Sequence, residues 1–101
     1  MINPELGYDN AANWSLIPMH MVAGMRRYLT HGIAPGHFLK AVLSNDLMEA
    51  LGRADEENQR SLPAYGRFLY NYAASSSYGS PERFEAWVKG GGAQGMLKND
   101  L

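Results

Sequence analysis

The chain contains no cysteine and no long hydrophobic run, and these absences exclude several classes of protein. Without cysteine there is no disulfide framework, no thiolate zinc site and no cysteine nucleophile. No segment approaches the roughly 18 consecutive apolar residues that a membrane-spanning helix needs. The first ten residues contain Glu5 and Asp9 but no basic residue, so they lack the pattern of a secretory signal peptide. We therefore expect a protein that does not associate with membranes.

An excess of charge of either sign is absent as well. Nine Lys and Arg residues nearly balance ten Asp and Glu residues, which leaves a net charge of -1. Proteins that bind nucleic acid through its phosphates usually carry a strong positive charge, so direct nucleic-acid binding is not predicted. The balance is uneven along the chain, because residues 44–57 hold five carboxylates and one arginine, a net of -4.

The 101 residues suffice for one small domain. Residues 1–13 are polar and aperiodic, the middle of the chain has helical apolar spacing, and a glycine-rich stretch begins at residue 90. These differences predict a flexible N-terminal segment at residues 1–16, a helical domain at residues 17–89 and a flexible tail at residues 90–101. We expect the domain to be a monomer.

Helix signals recur throughout the middle of the chain. Pro18 is suited to the first turn of a helix that ends before Gly32, and Ser44-Asn45-Asp46 breaks the next apolar stripe with possible caps. Pro63 lies inside a later stripe, where it either kinks a helix or begins one. Ser80-Pro81 opens the last helix. Since no strand alternation or hairpin signal is found, the sequence predicts an all-α fold: a compact array of four to five short helices.

The sequence offers no arrangement typical of catalysis. His20, His31 and His37 lack the spacing that places two imidazoles on one helix face for zinc. The serines at 75–77 do not lie in a nucleophile elbow, and the glycines at 90–92 lack the Lys-Ser/Thr of a phosphate-binding loop. We therefore predict no metal, no cofactor and no enzymatic activity.

The acidic segment leaves three interpretations open. Paired carboxylates serve general acid–base catalysis, but no apolar residue is placed to raise a pKa there. In a second interpretation the carboxylates keep the surface solvated and stabilise helix N-termini. In a third, they form a face that docks on a basic partner. For the docking face we predict a partner-binding set that also includes two tyrosines lying off the helical stripe: Asn45, Asp46, Glu49, Asp55, Glu56, Glu57, Asn58, Tyr70 and Tyr78.

A DNA-binding helix-turn-helix is an alternative for residues 35–54, with the turn at Ser44-Asn45. Its recognition helix would present Asp46 and Glu49 to the groove and only Arg53 as a cationic donor. Contacts to bases and phosphates rely on Arg, Lys, Asn and Gln, so this surface would be repelled by DNA. The alternative is therefore less favoured than a protein partner.

Several segments between Ile17 and Trp87 together form a distinctive order of residues: Ile17-Pro18, Gly32-Ile33-Ala34-Pro35-Gly36-His37-Phe38-Leu39, Ala41-Val42-Leu43-Ser44-Asn45-Asp46-Leu47, Ala54-Asp55-Glu56-Glu57-Asn58, Phe68-Leu69-Tyr70-Asn71 and Gly79-Ser80-Pro81. This order resembles a family of small phage-encoded proteins that includes a type I anti-CRISPR protein. The chain departs from the family pattern at Ala74 and Tyr78, where the family has Pro and Trp, and at Pro63.

The resemblance implies an inhibitor that works in the host bacterial cytoplasm. Its partners would be protein subunits of a type I CRISPR surveillance (Cascade-type) complex, on a basic surface that otherwise binds nucleic acid. A small rigid body with carboxylates on one face would block target DNA by steric and electrostatic occlusion. A different phage accessory or host-takeover protein, with an unrelated protein target, is the alternative that the resemblance leaves open.

Overall fold

The computed structural model describes residues 12–99, and these residues form an all-α fold, as the sequence predicts. No strand occurs among them. Two short 3-10 helices, Trp14–Leu16 and Ser75–Ser77, accompany the α-helices. The seven α-helices, in chain order, are α1 (Met19–His31), α2 (His37–Leu43), α3 (Leu47–Arg53), α4 (Glu56–Arg60), α5 (Leu62–Tyr72), α6 (Pro81–Gly90) and α7 (Gly92–Asn99).

The helix number exceeds the predicted four to five for two reasons. The region around the apolar stripe that contains Pro63 is divided at Ser61 into two helices, α4 and α5. Pro63 lies in the first turn of α5, where its missing N–H needs no partner. Pro63 therefore begins a helix and does not kink one, which decides the alternative that the sequence left open.

The second reason is α7, which lies in the segment that the sequence predicts as a flexible tail from residue 90. Gly91 ends α6 in a left-handed conformation with φ of 82°, and Gly92, with φ of 69°, begins α7. Helix α7 packs on α1. The glycines allow the two backbones to approach closely, because a Cβ at Gly32 would lie 2.6 Å from the Gly92 nitrogen.

The N-terminal boundary is also earlier than residue 17. Trp14 belongs to the first 3-10 helix and packs on Phe68 of α5 with 4.8 Å between ring centroids. The Arg26 guanidinium lies 4.9 Å from the Trp14 ring centroid, a cation–π geometry. Residues 12–16 are thus part of the packed domain, while the rest of the predicted flexible segment lies outside the described residues.

The core is aromatic, and its polar atoms are paired across the domain. The Tyr28 ring stacks on Phe84 with centroids 5.3 Å apart, and its hydroxyl donates to the Ser77 carbonyl oxygen at 2.6 Å. Trp87 Nε1 donates to the Tyr28 carbonyl oxygen at 2.9 Å. These hydrogen bonds connect α1, α6 and the second 3-10 helix. Because a buried donor or acceptor is costly when unpaired, they fix how the helices meet.

Candidate functional site

An open apolar groove of about 520 Å³ lies between α2, α3 and α5, next to the loop at residues 78–79. Its floor is made by side chains of the buried core, and its rim carries the polar residues Asn45 and Asp46. The groove is lined by Ala41, Val42, Asn45, Asp46, Leu47, Ala50, Leu62, Pro63, Gly66, Leu69, Tyr78 and Gly79. This size is within the range of binding pockets in proteins.

The turn between α2 and α3 forms one end of the groove. Asn45 adopts the left-handed conformation with φ of 61°, which asparagine tolerates better than other side chains with a Cβ. The Asp46 carboxylate then accepts a hydrogen bond from the Glu49 backbone N–H at 3.3 Å and caps α3. The Ser44-Asn45-Asp46 break with a cap is therefore confirmed, and it brings Asn45 and Asp46 to the groove.

The loop after the second 3-10 helix forms another part of the rim. The Gly79 backbone N–H donates to the Leu43 carbonyl oxygen at 2.9 Å and ties the loop to the end of α2. Arg83 donates from its guanidinium to the carbonyl oxygens of Ser75 at 3.3 Å and Tyr78 at 3.4 Å. These bonds hold the Tyr78 backbone in place, so this side of the groove is well positioned.

Large apolar side chains are exposed beside the groove. Leu47 is 60% exposed and Met48 is 76% exposed, and both lie in the first turn of α3. Leu47 also lines the groove, so the groove has exposed apolar surface at its α3 side.

Three of the nine predicted partner-binding residues line the groove, namely Asn45, Asp46 and Tyr78. Tyr70 is 82% exposed on α5 but does not line it. Sequence reasoning missed Pro63 and Gly66, which line the groove from α5. Proline and glycine gave signals for helix boundaries only, because nothing in the sequence indicates that α5 faces α3.

A second group of predicted residues lies at α4, against the start of α1. His20 Nε2 lies 3.0 Å from Asp55 Oδ2, and His20 Nδ1 lies 3.4 Å from Glu57 Oε1. The Asp55 carboxylate also accepts a hydrogen bond from the Asn58 backbone N–H at 2.7 Å and caps α4. That backbone hydrogen bond, followed by the contact with His20, lowers the pKa of the Asp55 carboxyl.

The remaining predicted carboxylates are paired with arginines on their own helices. Arg53 Nε donates to Glu49 Oε1 at 2.6 Å, and this hydrogen bond lowers the pKa of the Glu49 carboxyl. Glu56 lies 3.9 Å from Arg60. Exposed pairs of this kind contribute little stability, but they reduce the negative field. The charge of Arg53 is already included in the net -4 of residues 44–57, and Arg60 adds one positive charge beside that segment.

Asn58 belongs to the predicted set and is buried. Its side chain is only 3% exposed, and its Oδ1 accepts a hydrogen bond from the buried Tyr65 hydroxyl at 2.7 Å. Burial raises the pKa of Tyr65, and the nearby carboxylates of Asp55 and Glu57 add to this effect. The hydroxyl therefore stays protonated and donates. Asn58 therefore connects α4 to α5 inside the domain and presents little surface to a partner.

Residues 12–99 hold no group of three or more His, Asp or Glu side chains arranged to bind a metal ion. Over the same range, no helix has the length and apolar character that crossing a bilayer requires. Comparison of the chain with protein-family models, with curated proteins and with solved structures finds no match in any of the three. The groove and its rim are therefore the candidate functional site among the described residues.

Proposed function

We propose that the protein is a non-enzymatic inhibitor that binds a protein partner through the groove, its polar rim and the acidic residues at α3 and α4. The observation that supports this proposal is the position of Asn45, Asp46 and Tyr78, which belong to the partner-binding set predicted from the sequence and which line one apolar groove. A groove with a polar rim and exposed apolar neighbours has the anatomy of a protein–protein interface. The sequence resemblance suggests the partner: a subunit of a type I CRISPR surveillance complex.

The mechanism that we propose is occlusion. A protein seated on a basic surface of the effector occupies the space that target DNA needs, and its carboxylates replace phosphates opposite Lys and Arg. The apolar groove supplies affinity, while the acidic residues at α3 and α4 select the basic site and speed the encounter. We assign affinity to the groove because most of these acidic residues are already in ion pairs within the protein. A carboxylate that is already paired contributes less to the affinity for a partner than an unpaired one.

The experiment is a target-DNA shift with a purified type I effector complex, with and without this protein. We expect the protein to abolish the DNA shift. The double variant Glu56→Lys, Glu57→Lys should slow association with the effector at least tenfold. The control Glu82→Lys, Glu85→Lys makes the same charge change on exposed residues of α6 and should retain inhibition.

A small DNA-binding regulator is the second candidate, because α2 and α3 are joined by a three-residue turn. Against it, Arg53 of α3 is already engaged by Glu49. A DNA shift by the protein alone that weakens steeply with salt would favour the regulator and refute the inhibitor. The inhibitor proposal would also be refuted if this protein formed no complex with any type I effector tested and left target-DNA binding by each effector unchanged. That result would favour another phage accessory protein.

A further inference from the structure

We infer that the occupant of the groove is an amphipathic helix of the partner, with apolar anchors on one face and a basic edge toward α3. This inference rests on the proposed function and names the partner's chemistry at the same site. Three arguments lead to it. They concern the volume of the groove, the modes of peptide recognition that its lining allows, and the charge at its rim.

The volume matches several side chains of a protein segment. A cavity of about 150 Å³ holds one benzene-sized group, so a groove of about 520 Å³ accepts about three large apolar side chains. Three anchors at i, i+3 or i+4, and i+7 are the usual spacing of a helix laid into a groove between helices.

Other modes of peptide recognition fit this surface less well. An added strand requires a sheet edge, and residues 12–99 contain no strand. Proline-rich segments bind grooves lined by aromatic side chains, whereas Tyr78 is the one aromatic residue in this lining and the others are mainly aliphatic. An apolar groove bounded by α3 and α5 is therefore best suited to a helix.

The charge at the rim favours one orientation of that helix. Asp46 lines the groove at the start of α3, and none of the lining residues is a lysine or an arginine. Lys or Arg on the partner helix is therefore favoured on the α3 side, opposite the Asp46 carboxylate.

Two exposed glycines allow a matched test. A Cβ at Gly66 or at Gly52 would meet no atom within 4 Å, and neither has a positive φ. Both lie within helices, but only Gly66 lines the groove. Gly66→Phe should fill the groove without disturbing the core. Gly52→Phe is the control, and thermal unfolding of both full-length variants establishes that they fold.

The probe is an 18-residue synthetic helix of Leu and Lys with all leucines on one face. Its scrambled isomer and a Leu-Glu version are controls. Addition of the probe to the isotope-labelled protein should shift amide resonances of residues 41–47, 62–69 and 78–79. Binding should weaken at least tenfold for the scrambled and acidic peptides and for Gly66→Phe, and stay within twofold for Gly52→Phe.

Equal binding of the scrambled peptide, shifts confined to residues 55–57, or unchanged binding by Gly66→Phe would each overturn the inference. The two proposals fail separately. If Gly66→Phe still inhibits the effector fully, the inhibitor function stands and the groove inference is wrong. If the groove binds the amphipathic peptide but no type I effector is inhibited, the groove inference stands and the proposed function is wrong.

Discussion

The contact between the end of α1 and the start of α7 provides the sharpest test of the fold. Gly32 and Gly92 meet there with both residues at φ of 69°. A Cβ on Gly92 would lie 2.8 Å from the backbone N and C atoms of His31. Neither backbone segment can move aside as a flexible side chain would. We therefore expect Gly92→Ala to destabilise the protein strongly.

The magnitude follows from two costs. An alanine in the left-handed conformation costs about 1–2 kcal/mol, and forcing an extra carbon into a packed contact typically costs about 1–3 kcal/mol. Gly92→Ala should thus lose about 2–5 kcal/mol, a large share of the roughly 5–15 kcal/mol that stabilises a small domain. Gly52→Ala is the matched control, because its Cβ meets nothing and alanine is favoured in a helix interior by about 0.5–1 kcal/mol.

Urea unfolding measures this difference, with circular dichroism for helix content and tryptophan fluorescence for Trp87 near the contact. Gly92→Ala should unfold at a much lower urea concentration than the parent protein, and Gly52→Ala at a slightly higher one. If both variants were stabilised by the same amount, residues 91–99 would not be packed on α1. The sequence prediction of a flexible tail would then be right.

Two further substitutions test buried and surface interactions. Tyr65→Phe leaves the buried Oδ1 of Asn58 without its donor and should cost about 1–3 kcal/mol in urea unfolding, whereas a loss below about 0.5 kcal/mol would show that Asn58 finds another partner. Asp55→Asn retains a good helix cap but removes a carboxyl whose pKa lies below its usual 3.8 in the folded protein. The stabilisation by the Asp55 carboxylate is present above about pH 4 and is lost as the pH falls further. The parent should therefore lose more stability than Asp55→Asn between about pH 5 and pH 3, and identical losses would contradict the assignment.

The candidate site could be predicted only in part from the sequence. Asn45 and Asp46 were selected as part of an acidic face and Tyr78 because it lies off the helical stripe, and the structure brings all three to one groove. Asn58 had the same polar character but is buried against Tyr65. Amino-acid type alone does not distinguish a polar residue on the rim of a groove from one that pairs inside the core.

Local chemistry by itself determined the helices and most of their ends. A proline in a first turn, a hydroxyl or carboxylate cap and a glycine after the last turn act within a few residues, so Pro18, Gly32, Asp46 and Ser80 were assigned correctly as helix boundaries. Tertiary structure decided which helices pack against one another, because local signals carry no information about distant segments of the chain. The glycine run after residue 90 became a packing contact, and α2, α3 and α5 came together around a groove, because both depend on surfaces far apart in the chain.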